Sequence, residues 1–195
     1  MWRLVILLFC FCVSFPVTAN SDGVEIVIVR DQNKLVIKKN NRTIKTFRAA
    51  FGSGGRAAKV QEGDRLTPKG HYRIHEVRSS DSFHTFMQLN YPNMEDAKRA
   101  LKAGMIDRYQ YRRILGAHLY NELPPQNTVL GGLIGIHGIG VETQEKLEIH
   151  EISNWTKGCI ALRNSEIVEL SRYVSHGTPV IIVDSLPELA ANEIR

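Results

Sequence analysis

The chain has 195 residues, a length that holds one domain with an ordinary core and a short tail. Its 43% hydrophobic and 23% charged content exclude a disordered or collagen-like chain. The formal charge of +5 and a pI near 9.2 suit anionic surroundings such as a cell envelope. The basic residues are scattered among acidic ones, which argues against nucleic acid as a partner.

The first residues differ from the rest. Arg3 supplies one positive charge, residues 4–13 are an unbroken apolar run, and Val17-Thr18-Ala19 offers a small-residue cleavage site. An apolar run of about ten residues is too short to span a bilayer but has the size of a secretory h-region. Residues 1–19 therefore read as a signal peptide, with an uncleaved anchor as the alternative, and no later segment is apolar enough to cross a membrane. The expected destination is the periplasm or cell envelope, across the inner membrane. Cys10 and Cys12 leave with the signal, and Cys159 remains alone in an oxidising compartment. A lone cysteine there is a reactive thiol, half of an intermolecular bridge, or a small buried hydrophobe.

In chain order, residues 24–29, 35–38 and 43–49 read as strands, with Asp31-Gln32-Asn33 and Asn40-Asn41 as the turns between them. Phe51-Gly52-Ser53-Gly54-Gly55 breaks the pattern. It lacks the Gly-Lys-Ser/Thr and the helix that a phosphate loop requires. Residues 71–75 alternate like a strand. Residues 93–103 form a helix capped by Asn93 and stopped by Gly104, and 107–115 a second short helix. Residues 133–136 form a buried strand ending at His137-Gly138, and 159–162 another. Asn164 caps a helix over 165–175, and 179–183 is the last strand before a polar tail, 184–195. Strands and helices without regular alternation predict a mostly β (α+β) domain over about 24–183.

Chemistry concentrates in Ile134-Gly135-Ile136-His137-Gly138 and Trp155-Thr156-Lys157-Gly158-Cys159. A thiol nucleophile needs a base within hydrogen-bond reach, and imidazole is the usual one. A nearby imidazolium would also lower the thiol pKa. Gly158 lets the backbone approach a substrate, so that the Gly158 and Cys159 amides can face a developing oxyanion. The Gly138 carbonyl can fix the tautomer of His137.

These segments resemble the L,D-transpeptidase catalytic domain (YkuD) family. The resemblance rests on His137-Gly138, on Thr156-Lys157-Gly158-Cys159, and on Thr67-Pro68-Lys69-Gly70-His71-Tyr72-Arg73-Ile74, and it runs from about Val24 to Val183. It implies a β-sandwich or barrel-like domain with a few peripheral helices. It further implies a Cys159 nucleophile with His137 as base, no cofactor, and peptidoglycan stem peptides as substrate. A wall-attached lipoprotein is a further implied partner. Transfer of the acyl-enzyme to an amine gives a transpeptidase, and transfer to water gives a carboxypeptidase or amidase. A non-catalytic envelope-binding module on the same fold is the third reading.

The chain departs from the pattern in two places. Many members carry His where this chain has Lys157, and Arg where it has Ala161, which leaves Arg163 and Lys157 to take that cation's part. Thr156 is a turn hydroxyl or a substrate ligand, and Trp155 a groove wall or part of the core edge. A zinc site on His137, His150 and Cys159 is disfavoured by irregular spacing. An NlpC/P60-type peptidase would have its Cys before its His, the reverse of the order here. His71 and His75 point the same way from one strand and are expected to be a surface pair.

Overall fold

A computed structural model describes residues 23–186; the signal-peptide segment, Cys10, Cys12 and most of the tail lie outside the described residues. Strand β1 (Val24–Val29) turns through a single 3-10 turn and Asn33 into β2 (Lys34–Lys39), and Asn40 and Asn41 carry it into β3 (Arg42–Arg48). All three Asn residues have φ between 50° and 64°, a left-handed conformation that Asn tolerates better than most residues. Strand β4 (Gly70–Ser80) extends beyond the expected 71–75, and β5 (His84–Leu89) was not foreseen. The last four residues of β5, from Phe86 to Leu89, are all buried, so this strand lacks the alternation that marks a half-exposed one.

Helix α1 (Met94–Lys102) opens with a capping box. The Asn93 side chain accepts the Asp96 amide at 2.8 Å, and the Asp96 carboxylate accepts the Asn93 amide at 3.1 Å. Gly104 follows its end at φ 68°. Helix α2 (Arg108–Leu119), capped by Asp107, runs one turn further than expected and packs on α1 around Ala97, Ala100, Ile106 and Ile114. After β6 (Gly135–Gly138) comes α3 (Gln144–Ile152), in a stretch expected to be loop. Its only buried residue is His150, so it shows no apolar stripe. Strand β7 (Ile160–Leu162) leads to α4 (Asn164–Ser171) and β8 (Pro179–Val183). The cap of α4 is Arg163, not Asn164. The Asn164 side chain instead bonds the Gly140 amide and carbonyl, at 3.2 and 2.6 Å.

The eight strands form one sheet in the order β3-β2-β1-β8-β4-β5-β6-β7. The β1–β8 and β6–β7 pairs are parallel and the others antiparallel. Beyond β3 the chain returns to the far edge, where Ala50 and Ala161 exchange backbone hydrogen bonds of 3.0 and 2.8 Å. This closure makes the sheet barrel-like. Inside lie Ile26, Ile28, Ile37, Ile74, Leu89 and Ile136, with α4 adding Ile167 and Leu170. Each such side chain contributes roughly 1.5–3 kcal/mol of burial.

Candidate active site

Strands β6 and β7 run side by side with Ile136 opposite Ile160 and His137 opposite Ala161. Ile136 and Ile160 belong to the core, so the alternating positions point to the other face. Cys159 lies two residues before Ala161 and therefore shares that face with His137, one pleat away. The strand register thus sets the two expected residues on one face of the sheet.

His137 is buried, and its Nδ1 lies 2.7 Å from the Gly138 carbonyl. A carbonyl only accepts, so Nδ1 carries the proton and the Nε2 lone pair is left for base chemistry. The Gly138 amide donates to the Phe83 carbonyl at 3.0 Å, which holds that peptide in place. A Cβ on Gly138 would lie 2.8 Å from the same carbonyl, so glycine is required there. The Phe83 ring sits on the imidazole with centroids 4.3 Å apart, Phe86 stacks at 6.2 Å, and Trp155 meets it edge-on at 6.2 Å. Burial pushes the His137 pKa below its ordinary value, and the Gly138 carbonyl, acting the other way, does not offset it.

Cys159 is partly exposed. Its Sγ donates to the Leu133 carbonyl at 3.4 Å. Burial pushes the thiol pKa up, against the Gly135 amide and the Lys59 charge, which pull it down. Burial thus works against the expected lowering by an imidazolium, since desolvation disfavours both charged forms.

The turn before Cys159 is closed by Thr156. Its hydroxyl donates to the Cys159 carbonyl at 2.7 Å and accepts the Gly158 amide at 3.1 Å. The Gly158 amide, expected to face an oxyanion, is thus engaged inside the turn. Gly158 has φ 130°, and a Cβ there would come within 2.9 Å of the Leu66 carbonyl. Lys157 is exposed, and Trp155 is half-buried with no partner for its indole N–H among the described residues. Arg163 is paired with Glu151, its Nε 3.1 Å from the carboxylate. Ala161 is fully buried in its bridge to Ala50.

Sequence reasoning missed the residues that support this site. Gln126 accepts the Leu133 amide at 2.7 Å and donates to the Tyr91 and Pro124 carbonyls at 2.7 and 2.8 Å. Leu133 itself has φ 52°, a strained conformation for Leu. Lys59, almost fully buried, pairs with Asp64 at 2.7 Å. The Asp64 carboxylate also collects the Val60, Gln61 and Leu66 amides at 2.8–3.0 Å. Burial pushes the Asp64 pKa up, but Lys59 and these amides more than offset it. The loop they order lies against Gly158 through Leu66 and accepts the Gly54 amide at the Arg65 carbonyl, at 2.9 Å. Among the described residues no group of three or more His, Cys, Asp or Glu is arranged to hold a metal ion.

The closed sheet sets a buried imidazole on β6 and, just before β7, the one thiol among the described residues. The YkuD family model, described as L,D-transpeptidase catalytic domain, matches residues 23–182, and the chain belongs to this family. Among solved structures it is similar to Bd1075 of Bdellovibrio bacteriovorus, with a TM-score of 0.55 and 20% identity over 86% of this chain and 50% of that one. It is also similar to the helical cell shape determining protein Pgp2 of Campylobacter jejuni, with a TM-score of 0.57 and 15% identity over 84% and 48%. The chain spans about half the length of these structures, and at such identities the likeness is one of fold. No curated protein matches the sequence. No helix among the described residues is long and apolar enough to cross a membrane.

Proposed function

We propose that the chain is an exported peptidoglycan L,D-transpeptidase that passes a stem-peptide acyl group through a thioester on Cys159 to an amine acceptor. The observation that carries this is the placement of Cys159 and His137 on one face of β6 and β7, with Nδ1 of His137 tied to the Gly138 carbonyl. His137 Nε2 takes the thiol proton as Sγ bonds to the carbonyl carbon of the donor peptide. Burial disfavours the thiolate and the imidazolium alike, so the proton passes to His137 in the course of the attack. The Cys159 amide is the donor assigned to the oxyanion; the Gly158 amide joins it if substrate draws it from Thr156. The Gly135 amide and Lys59 steady the sulfur as it becomes negative. Collapse expels the amine, which takes the proton from His137, and leaves a thioester. The acceptor amine then gives its proton to Nε2 and attacks, and the thiol departs reprotonated.

Water in place of the amine turns the same thioester into a carboxypeptidase or amidase product. One observation keeps this as a second reading. Position 161 carries no charge and Arg163 is paired with Glu151, so of the expected stand-ins for a donor-carboxylate cation only the exposed Lys157 is left. The test is incubation with purified muropeptides, a labelled amine acceptor and 18O water. Label from the amine in the product supports transpeptidation, and 18O in a new carboxyl supports hydrolysis. Unchanged muropeptides, from folded protein with a free thiol, would contradict both.

A further inference from the structure

Helix α2 is buried along one side by Ile114 and Ala117, and its other side faces outward. There Arg108, Tyr109, Arg112, Arg113 and Leu119 are all exposed, and helical periodicity sets them within an arc of about 140°. Tyr120 follows at the end of the helix. Tyr109, Leu119 and Tyr120 are 64%, 69% and 79% exposed, so this side presents large apolar groups among its charges. No carboxylate interrupts the arc, and none of the three arginines has an ion-pair partner among the described residues. Arg112 turns back to the Arg108 carbonyl at 3.3 Å, and Arg113 lies over the Tyr109 ring, 5.9 Å from its centroid. On the neighbouring α1, Lys98 and Lys102 are exposed one turn apart and add to the positive potential.

Beside Arg113 the surface holds a pocket of about 220 Å3, lined also by Tyr109, Gln110, Asn127 and Thr128. Arg113 brings a cation to it, and Gln110 and Asn127 bring side-chain amides. Thr128 is buried, and its hydroxyl has no hydrogen-bond partner among the described residues. A buried hydroxyl without a partner is costly, which marks this wall as one that a water or a ligand oxygen would complete. Asp107 is the one carboxylate of the lining, and it is committed to capping α2, where it accepts the Gln110 amide at 2.7 Å.

We propose that this side of α2 docks the domain on a lipid surface bearing anionic phosphate headgroups, with the pocket beside Arg113 taking one of them. Guanidinium forks match phosphate oxygens, and three of them left unpaired on one face attract an anionic surface. Tyrosine rings suit the level of the headgroups, and Leu119 reaches the start of the acyl region. These apolar groups favour lipid over a soluble acidic chain, for which a helix ridge offers no groove. At 12 residues α2 is far too short to cross a bilayer, so it lies along the surface. The docking does not depend on the chemistry at Cys159.

The test is co-sedimentation of residues 20–195, which contain every element of the fold and lack the apolar leader, with vesicles. One set holds equal parts phosphatidylglycerol and phosphatidylcholine, and the other phosphatidylcholine alone. Binding is expected to the anionic set, weakened by salt, with little to the neutral set. Changing Arg108, Arg112 and Arg113 together to Gln should lower the partition coefficient about a hundredfold, at roughly fivefold for each arginine. Leu119→Ser with Tyr120→Ser should lower it about tenfold. A control with Lys39, Arg42 and Lys146 changed to Gln loses the same charge from exposed positions elsewhere and should bind within about threefold of the unaltered chain. All these positions are exposed, so the variants should fold, and thermal unfolding checks that they do. No binding to the anionic vesicles, or an equal loss in the two charge variants, would overturn the proposal. So would tighter binding to soluble polyglutamate than to vesicles of equal charge concentration, which would point to an acidic chain instead.

Discussion

The Gln126 side chain accepts the backbone amide of Leu133 at 2.7 Å, and through that bond it sets where the Cys159 thiol rests. The Leu133 carbonyl, on the same strained residue, is the acceptor for Cys159 Sγ. Gln126→Ala leaves the Leu133 amide and the Tyr91 and Pro124 carbonyls without their partner. It should cost about 1–3 kcal/mol of stability. With the loop misplaced by a fraction of an ångström, turnover should fall by one to two orders of magnitude. Thermal unfolding and steady-state kinetics check the two effects. Wild-type turnover in a variant of lowered Tm would show that the loop does not position the thiol.

The pKa directions at the site give a pH profile. His137 must be neutral to act as base, and burial lowers its pKa from 6.5, so the acid limb of kcat/KM should lie below that value. Thiol alkylation should have its midpoint above the ordinary 9.0, since burial raises the Cys159 pKa. Fold stability follows by linkage. His137 and His150 are both lowered in the folded state by burial. Their contribution is therefore complete above pH 6.5 and declines as pH falls below it, because the unfolded chain takes up protons first. Denaturant unfolding between pH 7 and 5 checks this sign.

Phe83 covers His137 from the turn between β4 and β5, with its carbonyl fixing the Gly138 peptide. Phe83→Ala keeps the carbonyl and removes the ring. The His137 pKa should move up toward 6.5, and the product ratio should shift toward hydrolysis as water gains access. An NMR titration of the His137 ring and product analysis read the two outcomes independently. An unmoved titration would show that other groups supply the desolvation.

Much of this candidate site was legible in the sequence because the imidazole and the thiol are rare side chains placed beside glycine. His137 and Cys159 are identified by type and neighbour, and Asn93 and Asn40-Asn41 by local conformational preference. The supporting residues act differently. Gln126 and Leu133 act through backbone hydrogen bonds between segments distant in sequence, and nothing in their local pattern marks them. Strand β5 is buried too completely to alternate, and α3 is buried too little to show a stripe. The role expected for Arg163 depended on where the Glu151 carboxylate would fall, which only the folded chain decides.

Ala161→Arg probes the closure of the sheet. The position is fully buried, so a guanidinium placed there lacks water and a counter-charge. The variant should lose about 3–5 kcal/mol, the cost of an uncompensated buried charge. A Tm near that of the unaltered chain, with tighter donor binding, would mean that the site opens enough to hold a cation at this position.

The central claim is that Cys159 becomes the acyl carrier while His137 moves its proton. Intact-protein mass spectrometry of the folded enzyme after brief exposure to muropeptides tests it most directly. The account predicts an acyl adduct on the Cys159 protein, absent in Cys159→Ala and formed far more slowly in His137→Ala. A Cys159 protein that turns over muropeptides without an adduct, or a Cys159→Ala variant that turns them over as well as the unaltered chain, would contradict it.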